Sequence, residues 1–133
     1  MAPAEESARD DAARAFATVE SLHASVADWV TGLPAGARER LDFRIGVHFG
    51  PAILSRLGSP THQQITASGD TVNVASRLLE VAKQQHCRVV VSEDLFATAR
   101  WTPGPANVDA EAYASVTVPI RGRTGFMQVR VRK

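Results

Sequence analysis

Cysteine is nearly absent: Cys87 is the single one in 133 residues. It cannot form an internal disulfide, and it sits in the apolar run CRVVV. The expectation is a reduced, buried thiol in a cytoplasmic chain, not a secreted domain stapled by disulfides. Long hydrophobic runs are missing too. None approaches the ~20 residues that span a bilayer. The opening stretch MAPAEESARDDAARAF is acidic and alanine-rich, unlike the charged-then-apolar plan of a signal peptide. There is no excess of either charge. A formal net charge of +1 offers no footprint for nucleic acid or an anionic membrane. No C-x-x-C, H-E-x-x-H, G-x-S-x-G or G-x-x-x-x-G-K pattern occurs. What remains is a composition of 44% hydrophobic and 22% charged residues. That suits one soluble domain with a genuine core, in a length too short for two.

Apolar residues from Glu6 to Val30 recur at three- and four-residue steps: Ala12, Phe16, Val19, Leu22 or His23, Val26 and Val30. This spacing predicts a long amphipathic helix, with residues 1–9 as a flexible lead-in. Asp10 and Asp11 suit its first turns, and Gly32 and Pro34 stop it. LDFRIGVHFG alternates Leu41, Phe43, Ile45, Val47 and Phe49 with polar or small residues, as a half-buried strand does. PAILSRLGSPTHQ reads as a turn region around Gly58 and Pro60, with room for one more strand turn before it, and HQQITASG as the second strand of a hairpin. DTVNVASRLLEVAKQ reads as a helix with Asp70 as its N-cap. Val72, Ala75, Leu79 and Ala82 form its apolar stripe, with Asn73, Arg77, Glu80 and Gln84 opposite. CRVVVSE is a strand buried on both faces, followed by a short helix capped through Ser92-Glu93-Asp94. WTPGPANVDAEA is a loop. SVTVPIRG and FMQVRVRK form a closing hairpin around Gly122 to Gly125. Helices mixed with hairpins predict an α+β domain with helices on one face of the sheet.

Read alone, the polar residues are unremarkable. Asn73 and Arg77 at i, i+4 on an outer face simply meet water, and Arg77 can pair with Glu80. His48 on a strand is a structural histidine. Arg121, Arg123, Arg130, Arg132 and Lys133 alternate outward as a charged, solvated edge. His62 and His86 lack metal-ligand spacing, and Ser21 and His23 do not make a nucleophile–base pair.

Five segments in order alter this picture: IGVHFGPAI, Leu57-Gly58-Ser59, ITASGDTVNVASRLLEVAK, CRVVVSEDLF and VPIRGRTGFMQVRV. Together they resemble the class III nucleotidyl cyclase catalytic domain, the adenylate and guanylate cyclases, from about Asp10 to the C-terminus. The resemblance implies a ferredoxin-like antiparallel sheet and an enzyme that makes cyclic AMP and pyrophosphate from ATP in signal transduction. It implies that Asn73 orients the ribose and that Arg77 binds phosphate and stabilises charge on the transferring α-phosphoryl group. The basic residue before the closing-hairpin glycine grips the terminal phosphates. That residue is Arg121 here, where the family often has Lys. Thr66, three residues before Gly69, stands where the family reads the base, and favours adenine. Arginine suits such a phosphate contact because its planar fork donates bidentately.

The family also holds Mg or Mn on two carboxylates, from a first strand and a following hairpin. No Asp of this chain can be assigned to them. Asp10 and Asp11 lack the strand context, and Asp70 belongs to the signature helix itself. The resemblance is therefore to a C-terminal portion without the metal-binding half, and the expectation is an isolated chain with little or no turnover and no bound metal. Family members work as head-to-tail dimers, so the implied partner, besides ATP, is a second cyclase subunit. Two other readings stand beside this one. One is a non-enzymatic, cyclase-like dimerisation or regulatory module. The other is a generic α+β domain binding protein or nucleic acid, which rests on the C-terminal arginines alone.

Overall fold

The computed structural model describes residues 3–100, 113–120, 122 and 124–133, with residues 3–7, 9 and 100 described for the backbone alone. The predicted loop WTPGPANVDAEA lies outside them, as do Arg121 and Arg123. The elements run α1 (Pro3–Thr31), α2 (Ala35–Arg38), β1 (Ile45–Val47), β2 (Ile53–Ser59), β3 (His62–Ser68), α3 (Asp70–Gln84), β4 (Val89–Ser92), α4 (Glu93–Arg100), β5 (Ala114–Pro119) and β6 (Phe126–Arg132).

The first helix follows its pattern. Ala12, Phe16 and Val19 are buried, whereas Leu22 and Trp29 stay exposed. Its end comes where glycine and proline place it: Gly32 N–H reaches the Asp28 and Trp29 carbonyls, and Pro34 precedes α2.

The strand expected over Leu41 to Gly50 is shorter, Ile45–Val47. It runs parallel to β4, pairing Ile45 with Val89, Gly46 with Val90 and Val47 with Val91. A ladder extends only as far as its partner, and β4 is four residues long. Phe43 instead packs on His23 and lies under the Arg88 guanidinium, 4.9 Å from ring centroid to Cζ. The predicted turn PAILSRLGSPTHQ is also corrected. Its first half is β2, paired antiparallel with β3 from Ile53↔Ser68 to Ser59↔His62. Only Pro60 and Thr61 are left to turn the chain. Periodicity missed it because Ile53-Leu54-Ser55-Arg56-Leu57 does not alternate.

The main sheet has the order β1-β4-β6-β5, with β2-β3 as a separate ribbon. The α+β expectation holds, but the helices lie on both faces, not one. Val90, Val118 and Val129 pack with Val74, Leu78, Val81 and Ala82 of α3. Val89 and Val91 pack on the other side with Phe16, Leu95, Phe96 and Tyr113. Successive strand residues point to opposite faces, so the continuous Val89-Val90-Val91 run serves two cores. This is why β4 is buried throughout, as predicted. A Cβ added to Gly46 would stand 2.8 Å from the Ala75 carbonyl oxygen. Only glycine lets α3 lie this close to β1.

The charged edge expected at the C-terminus is corrected as well. β6 is an inner strand. Arg130 donates to both Glu93 oxygens at 2.7 and 3.2 Å and covers the Phe96 ring. Arg132 pairs with Glu20, which also accepts the Tyr113 hydroxyl. These two arginines tie α1 and α4 to the sheet, which weakens the nucleic-acid reading built on them. Cys87 is buried as expected, and burial pushes its thiol pKa up. Among the described residues no helix is long and apolar enough to cross a membrane.

His23 faces Phe43, and burial, followed by the charge of Arg132, holds its pKa below 6.5 despite Glu20 nearby; Arg88 adds to the lowering. A histidine with a depressed folded pKa binds fewer protons folded than unfolded. It therefore adds stability above the unfolded value, and that stability is lost as pH falls below it. Chemical denaturation at about pH 7.5 and about pH 5.5 should show the wild type losing stability on acidification and His23→Phe losing less. Parallel losses would show that His23 is not the group responsible.

Candidate functional site

The α3 helix begins abruptly after β3. Gly69 takes the N-cap with φ 121°, a left-handed conformation that favours glycine. Asp70, expected at that cap, is instead the first helical residue, where its charge suits the helix dipole. The Asn73 N–H donates to the Gly69 carbonyl at 3.2 Å. The buried stripe is rotated from the predicted one. Val74, Leu78, Val81 and Ala82 are inside, and Leu79 is exposed. β1 and β4 pack on the Val74–Leu78 side, so that side faces the core.

Asn73 remains exposed, one turn before a half-buried Arg77. The rest of the helix is anchored, so both polar groups are carried on a rigid support. Among the described residues Arg77 makes no ion pair. Its guanidinium lies against Gly122 in the turn joining β5 and β6. A Cβ added there would be 3.2 Å from each of Cζ, Nη1 and Nη2 of Arg77. Arg121 precedes Gly122 in the chain and lies outside the described residues. Thr66 is partly buried on β3, opposite Ser55. The fold therefore brings Arg77 to the closing hairpin, carries Asn73 on the same helix, and places Thr66 on the strand that leads into it.

Sequence reasoning missed the contact with Gly122. The signal available was two glycines in one hairpin turn, which reads as turn chemistry alone. It also missed a cleft of about 540 Å³ beside the start of α3. His48, Phe49, Gly50, Pro51, Ser68 and Asp70 are among its walls, and Gly50 and Gly69, both on its lining, were its trace in the sequence. Thr66, Asn73 and Arg77 do not line it.

Among the described residues no three His, Cys, Asp or Glu side chains converge to hold a metal ion.

Residues 7–129 match the family model described as the adenylate and guanylate cyclase catalytic domain. An adenylate cyclase of Anabaena cylindrica is 35% identical over 65 residues, covering 49% of this chain. Adenylate cyclase 1 of Rhizobium meliloti (strain 1021) is 37% identical over 87 residues, covering 65% of this chain. Each match spans 12% of the relative's own length.

Proposed function

From the premise that the chain belongs to the adenylate and guanylate cyclase catalytic-domain family, we propose that it helps convert ATP into cyclic AMP and pyrophosphate. The observation that carries this reading is Asn73 and Arg77, one turn apart on an anchored helix, with Arg77 unpaired among the described residues. In the reaction the ribose 3′-oxygen attacks the α-phosphorus, the bond to the β-phosphate oxygen breaks, and the 3′-hydroxyl proton is released. Asn73 fixes the ribose so that the attacking oxygen stays in line. Arg77 neutralises charge growing on the α-phosphoryl oxygens. Arg121 takes the terminal phosphates, and Thr66 meets the adenine edge.

Mg or Mn is the cofactor this reading calls for, and among the described residues no three His, Cys, Asp or Glu side chains gather to hold it. A second cyclase subunit is therefore the proposed source of the carboxylates, and the chain alone is proposed to be inactive. The test is incubation with ATP and Mn, and separately with GTP, with cyclic nucleotide read by mass spectrometry. No product is expected from the chain alone, and cyclic AMP is expected once a metal-binding cyclase subunit is added. Product from the chain alone that disappears in Arg77→Ala would overturn the half-site reading.

A second reading, a dimerisation or regulatory module without catalysis, draws on the β2–β3 ribbon. Leu54 and Ile65 are 72% and 73% exposed there, a surface suited to a partner. Dimerisation without product in any mixture would favour it.

A further inference from the structure

Arg77 and Gly122 are brought together from distant parts of the chain. The point where a Gly122 Cβ would stand is equally far, 3.2 Å, from Cζ, Nη1 and Nη2. In-plane positions at that range cannot be equidistant from those three atoms. The point therefore lies over the face of the planar group, and the guanidinium rests face-on against the turn. This leaves its N–H edge pointing along the plane, where a phosphate would be gripped. Gly122 also has φ 83°, the left-handed region. Two independent demands, backbone shape and clearance, meet at one residue.

We infer that Gly122 is a positioning residue: its bare α-carbon is the seat that orients Arg77. The inference rests on the phosphate-binding role proposed for Arg77 and deepens it. Gly122 directly follows, in the sequence, Arg121, the other arginine proposed to bind phosphate.

Gly125 supplies an internal control. It sits in the same turn with φ 85°, and among the described residues nothing lies within 4 Å of a Cβ placed there. Gly122→Ala and Gly125→Ala thus carry the same left-handed strain, and only the first intrudes on the guanidinium. The experiment is NMR of the Arg77 Nε–H signal, assigned with Arg77→Ala, in wild type and both variants, before and after inorganic tripolyphosphate. Gly122→Ala should displace or broaden that signal and weaken its response to tripolyphosphate. Gly125→Ala should leave both close to wild type while lowering thermal stability to a similar degree. Equal effects of the two substitutions on the Arg77 signal would overturn the seat. A wild-type Arg77 signal that ignores tripolyphosphate, with Gly122→Ala still displacing it, would instead overturn the phosphate role and with it the positioning function.

Discussion

Arg77→Ala should lower cyclic AMP formation by the complemented enzyme about 10²–10³-fold, the loss typical of one well-placed transition-state donor. The effect should appear in kcat and in kcat/KM together, because the charge it meets is greatest in the transition state. Its thermal midpoint should stay near wild type. Arg77 is only half-buried and pairs with no carboxylate among the described residues, so its removal orphans none. Arg77→Lys should recover part of the rate, since it restores the charge without the planar fork. Steady-state kinetics beside a melting curve separates the outcomes. A loss confined to KM would reduce Arg77 to a ground-state phosphate contact. A loss explained by unfolding would remove it from the chemistry.

The largest loss of stability should follow Phe16→Ala. Phe16 is 1% exposed. Its ring meets Phe96 edge-on at 5.8 Å and Tyr113 at 5.1 Å between centroids. It is the aromatic centre of the core beneath α1, α4 and the Val89–Val91 face of β4. Removing a buried phenyl ring costs about 3–5 kcal/mol in lost burial and residual cavity. For a chain of this size that lowers Tm by on the order of 10 °C or more. Trp29→Ala, at a side chain 60% exposed on the same helix, should change little. Urea denaturation of both variants checks this. A Phe16→Ala loss under about 1 kcal/mol, the ordinary scale for a single substitution, would mean that α1 is not anchored as described. Phe16 sits on the opposite side of the sheet from α3. At a temperature where the variant remains folded, the Arg77 environment should therefore persist.

The two faces of the sheet show where local reading stops. Burial on both sides of β4 was legible because Val89, Val90 and Val91 leave no polar alternation. Nothing in the run says which helices cover which side, so the expected single layer became two. The error at α3 has the same origin. Its apolar residues nearly encircle part of the helix, and Leu79 matched the period as well as Leu78 did. Close packing against β1 at Gly46 selects Leu78. At β6, alternation correctly put Arg130 and Arg132 on one face, but the edge assignment failed. Strand order is a long-range property, and only Glu93 on α4 and Glu20 on α1 reveal what those cations do.

The sequence by itself determined the family, the long first helix, the signature helix bearing Asn73 and Arg77, the buried strand and the closing hairpin. Each is written in short-range spacing, in turn residues, or in a motif whose residue types serve phosphate chemistry. Tertiary structure alone decided that the helices flank the sheet, that β2 pairs with β3 along its full length, and that the cleft opens beside α3. It alone decided that Arg77 rests on Gly122. These are meetings between residues far apart in the chain, selected by packing and clearance. A linear pattern records which side of an element is apolar, but not what that side will touch.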